Sequence, residues 1–210
     1  PLEQYLKTHT PPQVNITIDA EYPVATAEKG WGALTLTMPP VPAKPVQGPV
    51  LSEFAGGFFG SQIPEDAVAT IDNATPELAA QVKARGEAQK GMRYAFDWEG
   101  QRLRIKAQGL AAHSSKPEDG VNAIAMLADA LAVHNWEGTS AANMASMVSE
   151  LVGTGLYGEK FGQAAYRDDF MGPMTVSPTV LKQTAKGLEL NINLRRPQGK
   201  ESGQLSAEIN

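Results

Sequence analysis

The sequence predicts an α+β fold, with antiparallel sheets and helices packed on one face. Three observations lead there. Short runs of strand-forming, largely alternating residues recur at 14–18, 33–38, 67–71, 92–98, 101–107, 174–181 and 188–194. Turn signals at Glu99-Gly100 and Lys186-Gly187 join neighbouring runs as hairpins, unlike the long crossovers of parallel βαβ units. Helical periodicity fills the intervals at 75–89, 121–133 and 140–152. The pattern divides near residue 136 into two halves.

Each element follows from local chemistry. Residues 1–7 read as the tail of a helix that Pro11 and Pro12 end. Residues 14–18 (VNITI) alternate as a strand, and residues 33–38 (ALTLTM) place leucines on one face and threonines on the other. Residues 39–49 hold five prolines and one glycine, a loop rather than a central strand. Thr75 is an N-cap with Pro76 in the first turn, opening a helix to about Gln89 that Gly91 ends. Residues 109–117 form a small-residue loop holding His113. Val121, Ile124, Leu127 and Leu131 stripe the next helix, and Met144, Met147, Val148 and Leu151 the one after. Residues 153–169 are glycine-rich, with a short helix expected at 159–165. Pro197 closes the last strand.

Composition narrows the function. The 210 residues are 42% hydrophobic, enough for a core, so disorder is excluded. Lys and Arg (18) trail Asp and Glu (23), giving a net charge of −5 and no basic stripe, so nucleic acid is not an expected partner. No apolar run approaches the ~18 residues of a membrane span. The absence of cysteine excludes disulfides, thiolate metal sites and a Cys nucleophile, and a cytoplasmic setting is expected. Only three histidines occur, His9, His113 and His134, and none lies in an HxH, HxD or HExxH pattern.

Several motifs have competing readings. Residues 153–158 match G-x-G-x-x-G, but a helix rather than a strand precedes them, so they read as a connection, not a dinucleotide site. His113, among small residues, is either an accessible donor for a developing oxyanion or a surface histidine near a helix start. Arg195 and Arg196 end a strand and must face opposite sides; one is placed to bind a carboxylate, or both are solvated. Asp19 follows a strand as a metal ligand or a turn residue, with Glu21 and Glu28 weaker candidates. Asp168-Asp169 reads as a loop-shaping pair. Phe54, Phe58 and Phe59 read as core.

Three segments together resemble PepV-type dipeptidases, in the zinc-dependent superfamily of carboxypeptidase G and the ArgE/DapE deacylases. Residues 19–24 (DAEYPV) with 28–30 (EKG) resemble the stretch entering the family's lid. Residues 109–122 (GLAAHSSKPEDGVN) resemble its G-x-x-A-H-x-x-x-P-x-x-G-x-N loop, and residues 191–199 (NINLRRPQG) its strand-end Arg-x-Pro motif. The segments at 157–160 (YGEK) and 168–172 (DDFMG) also fit.

The resemblance implies two ferredoxin-like halves forming a lid domain cut from a longer parent. Residues 1–28 would be an overhang of the catalytic domain, 29–135 and 136–202 the lid halves, and 203–210 the return. It implies that His113 stabilises the oxyanion, that Arg195 grips the substrate's C-terminal carboxylate, and that Ser61 and Asn122 contact substrate. Ser61 stands where the family uses an Asn. Asp19 would be a zinc ligand in the parent, together with ligands absent from this chain. Two zinc ions are implied there, and none is expected on this chain alone. The expected partners are a dipeptide and the parent's own catalytic domain, with self-association as a further expectation. The isolated chain is expected to be inactive. The alternative is a non-enzymatic dimerisation or small-ligand-binding module.

Overall fold

Strands with alternating burial pair into one seven-stranded antiparallel sheet, roofed by helices. The computed structural model describes residues 2–11, 13–14, 25–41 and 47–209. Asp19, Glu21 and most of the strand expected at 14–18 lie outside the described residues.

In chain order the strands are β1 (Gly30–Met38), β2 (Val50–Gly56), β3 (Gln62–Ile63), β4 (Asp66–Asp72), β5 (Arg93–Glu99), β6 (Arg102–Gln108), β7 (Ala112–His113), β8 (Arg167–Asp168), β9 (Gly172–Pro173), β10 (Thr175–Thr184) and β11 (Gly187–Arg196). The helices are α1 (Leu2–Leu6), α2 (Pro76–Glu87), α3 (Ala123–Leu131), α4 (Ser140–Met147) and α5 (Ser202–Ile209). The large sheet runs β1-β11-β10-β2-β4-β6-β5, and β3-β7 and β8-β9 form two small ribbons.

Local chemistry sets the helix starts. Thr75, Asn122 and Thr139 each cap a helix, their side-chain oxygens accepting from Leu78, Ala125 and Ala142 N–H. The helix expected over 140–152 is α4 for two turns and then a π-helical stretch, Val148–Val152, closed by Gly153 at φ +67°. The helix expected at 159–165 shrinks to a 3₁₀ turn, Gly162–Ala164.

One face of the sheet is apolar. Leu188, Leu190, Ile192 and Leu194 of β11, with Leu51, Phe54, Ile71, Leu103 and Ile105, meet Ile124, Leu127, Leu131 and Met144 of the helices in one buried cluster. α3 packs on β2, β4, β6 and β10, while α4 packs on β1, β2 and β11. Strands from residues 29–135 and from 136–202 share the sheet, since β1 pairs with β11 over nine residue pairs and β10 meets β2.

The β10–β2 junction positions the site. It is joined by the single pair Leu181↔Gly56. β10 bulges between Pro178 and Val180, a kind of position at which sheets admit proline. Gly57, at φ +69°, lies so close to the bulge that a Cβ would sit 1.9 Å from Thr179 O. The chain therefore leaves the sheet at Gly57. Phe58 and Phe59, expected in the core beside Phe54, are 79% and 65% exposed for that reason, whereas Phe54 is buried.

Candidate functional site

The site gathers on the sheet face opposite the helices, at one end of β10 and β11. Along β11, Leu190, Ile192 and Leu194 face the core, so Asn191, Asn193 and Arg195 face the other way. Arg195 lies opposite Thr175, and Asn193 opposite Ser177. This patch of Thr175, Ser177, Asn193 and Arg195 is polar yet buried, because the β3–β7 ribbon and its flanking loops cover it.

The ribbon brings two expected site residues together. Gln62 pairs with His113 and Ile63 with Ala112, and Ser114 N–H donates to Ser61 O at 2.9 Å. Ser61 and His113 are both exposed there. His113 Nδ1 accepts the Ser115 N–H at 3.3 Å and lies 2.7 Å from Ser115 Oγ. With Nδ1 assigned as an acceptor, the neutral ring carries its proton on Nε2, as an outward donor requires.

Arg195 lies beneath this ribbon and is 7% exposed. Its Nη2 is 3.5 Å from Ser114 Oγ, and its Nε has no hydrogen-bond partner among the described residues. Among the described residues the carboxylate it meets is Glu28, 4.0 Å away, whose own side chain is 88% exposed. A solvated carboxylate at that distance compensates a buried guanidinium poorly. Arg196 points to the opposite side, against Gly30 and Gly32, whose lack of a side chain admits it.

Asn122 is engaged by the fold. Its Oδ1 caps α3, and its Nδ2 donates to Pro178 O at 2.8 Å, fixing the start of α3 to the β10 bulge. One amide hydrogen and one carbonyl lone pair remain beyond these two bonds.

Other candidates have local roles. His9 stacks on Tyr5, and His134 meets the edge of Trp136. Asp168 Oδ1 accepts from Phe170 and Met171 N–H, which shapes the β8–β9 turn. Residues 153–158 follow the π-helical stretch without a preceding strand, so they do not form a dinucleotide loop. Among the described residues no three His, Cys, Asp or Glu converge to hold a metal ion, so these residues do not by themselves fit a metal site. No helix among them is long and apolar enough to cross a membrane.

Sequence reasoning missed Ser114, Thr175 and Asn193. Asn193 Nδ2 donates to Gly60 O at 2.8 Å, and Thr175 Oγ1 donates to Ser114 O at 3.1 Å. The alternation N-I-N-L-R carried a signal for Asn193, since it must share Arg195's face. Nothing local marked Ser114, whose burial depends on strands far along the chain.

Residues 101–210 match a family model described as a peptidase dimerisation domain. A Beta-Ala-Xaa dipeptidase of Lactobacillus delbrueckii subsp. lactis is 29% identical over 213 residues, covering 99% of this chain and 44% of that protein. Putative dipeptidase YtjP of Bacillus subtilis (strain 168) is 27% identical over 205 residues, covering 96% and 43%. Putative dipeptidase SSP1012 of Staphylococcus saprophyticus is 29% identical over 208 residues, covering 95% and 43%. The chain thus spans under half the length of these curated relatives.

Proposed function

Because this chain belongs to the peptidase dimerisation domain family, we propose that it is the lid of a dipeptidase, closing over a dipeptide bound by the rest of a longer protein. The observation that carries the reading is the buried Arg195, poorly compensated among the described residues, directly beneath the ribbon that presents His113. A buried guanidinium in that state favours a planar carboxylate, which it binds through two parallel N–H···O bonds.

In this reading Arg195 holds the substrate's C-terminal carboxylate. His113 donates from Nε2 to the oxygen that gains charge as the peptide bond is attacked. Ser61 lies beside His113 and contacts the substrate directly or through a water. Asn122 fixes the loop's far end and offers its remaining amide hydrogen. The reading places two zinc ions in the parent, where they would supply the activated water, with Asp19 among ligands otherwise outside this chain. A cytoplasmic setting belongs to the same reading. Closure would exclude water and bring donors to charge that develops late.

The test compares the full-length protein with the 210-residue chain, each with added zinc, on a panel of dipeptides. Hydrolysis by the former alone is expected; turnover by the isolated chain would overturn the lid reading. In the full-length protein, His113→Ala is expected to lower kcat by ~10²- to 10³-fold, the loss of one oxyanion donor. An unchanged kcat would remove His113 from catalysis.

A second reading, self-association through this domain, is favoured by the family description itself. Sedimentation of the chain across a concentration series separates a monomer from a dimer.

A further inference from the structure

We propose that Thr175 and Asn193 are positioning residues that lock the His113 ribbon onto the strands bearing Arg195. The proposal rests on the roles given to His113 and Arg195 above.

The argument begins with what the ribbon lacks. β3 and β7 contribute two residues each and make two pairs. A two-stranded ribbon of that length does not hold itself in water. Its ends are tied to the rest of the chain by backbone bonds, from Gly109 N to Glu65 O at 2.8 Å and from Ala123 N to Pro64 O at 2.9 Å. Those bonds lie on the α3 side. They leave Gly60, Ser61 and the His113–Ser114 end to be held by something else.

Two side chains of the large sheet hold the backbone carbonyls of that end, where Arg195 Nη2 also lies 3.5 Å from Ser114 Oγ. Asn193 on β11 donates to Gly60 O, beside Ser61, at 2.8 Å. Thr175 on β10 donates to Ser114 O, beside His113, at 3.1 Å. One bond therefore anchors each strand of the ribbon. Both side chains are buried, at 2% and 1% exposure. A leucine and a valine would fill the same space without the desolvation that a buried amide and hydroxyl incur. Their donors are used on the ribbon's carbonyls, while Asn193 Oδ1 has no hydrogen-bond partner among the described residues.

Arg195 completes the arrangement. It is the register partner of Thr175 and lies two residues from Asn193 on the same face. Of three neighbouring side chains, one addresses the substrate carboxylate and two address the loop that carries the oxyanion donor. The spacing between His113 and Arg195 is thus set by the sheet before any ligand arrives. Preorganisation of this kind matters because about 1 Å of misplacement costs ~10²-fold in rate.

The experiment uses the full-length protein with Thr175→Val, which keeps the shape and loses the donor, and Thr175→Ser, which keeps the donor. Each is made with His113 present and in a His113→Ala background. Thr175→Val is expected to lower kcat ~10- to 100-fold, and Thr175→Ser to recover most of it. In the His113→Ala background Thr175→Val should have no further effect, because a residue acting through His113 loses its influence when His113 is gone. Equal losses in both backgrounds would show a general structural effect and overturn the proposal.

A second readout does not depend on hydrolysis. Amide exchange at Ser114 should accelerate at least ~10-fold in Thr175→Val and in Asn193→Ala, while Ile105 in β6 stays protected. Unchanged exchange at Ser114 overturns the proposal even if the protein is an active dipeptidase. Accelerated exchange in a protein that cleaves no dipeptide supports the lock and defeats the dipeptidase reading instead.

Discussion

Arg195 shows how burial changes what a side chain means. At the end of a strand an arginine is ordinarily a solvated charge; here it is 7% exposed and meets only a distant, solvated Glu28 among the described carboxylates. Its value lies in a fork of donors, which a lysine cannot reproduce. Arg195→Lys in the full-length protein is expected to lower kcat/KM for free dipeptides by ~10- to 100-fold, the worth of one charge-assisted hydrogen bond. C-terminally amidated substrates should lose much less. Equal losses for both substrates would show that Arg195 does not read the carboxylate. His113 and Arg195 can be named as candidates from the sequence because the motifs by which they resemble a known family are short and local. Asn193 was half visible, through alternation, whereas Ser114 and Thr175 gain their meaning only from the ribbon laid across them.

At the scale of elements, one junction positions the site and another ties two helices. At the first, Gly57 turns the chain out of β2 against the β10 bulge. Gly57→Ala combines a strained positive φ with a backbone collision, so it is expected to destabilise the fold by about 2 kcal/mol or more. A clearly lowered Tm would register this, and an unchanged Tm would mean that the junction yields. At the second, α2 is tied to α3 by Asp129, which accepts from Arg85 Nη2 at 2.7 Å and Nε at 3.1 Å, and from Gln89 Nε2 at 2.8 Å. The Arg85 hydrogen bond, helped by Gln89, holds the Asp129 carboxyl below its ordinary range against some burial. Because the folded pKa lies below the unfolded value of ~3.9, the stabilisation is present above that pH. It fades as pH falls through the folded value. Both side chains are partly exposed, so Asp129→Asn should cost about 0.5–1 kcal/mol at pH 7 in denaturant unfolding. The difference from the unsubstituted protein should shrink as pH falls through the folded value and vanish below it; a difference that persisted at the acid end would indicate a packing effect. Hairpins and the Thr75 cap were legible at this scale, since Glu99-Gly100 and Thr75 act on their own neighbours, whereas the capping role of Asn122, expected only as a substrate contact with the helix beginning at Val121, was not. The exposure of Phe58 and Phe59 was not, because it follows from a bulge more than a hundred residues away.

For the whole molecule, the sheet joins segments distant in sequence. β1 lies at an edge against β11, and one apolar cluster includes residues from both sides of position 136. Trp136 itself is buried in that cluster, with its indole N–H donating to Leu131 O at 2.7 Å. The chain is therefore expected to unfold in one transition. Trp136 fluorescence, read with Trp31 and Trp98 replaced by Phe, should coincide with far-UV circular dichroism. Two separated transitions would mean that the halves fold independently. By itself the sequence determined the α+β class, the two hairpins and the starts of α2 and α4. Each of these depends on residues within about one turn or one strand of each other, where periodicity and capping act. The tertiary structure alone decided the strand order, the burial of Arg195, the meeting of Ser61 with His113 and the two tethers from Thr175 and Asn193. These depend on contacts between residues about 50 to more than 130 positions apart, and the site-forming ones bring buried polar groups to partners as the loops close over the sheet.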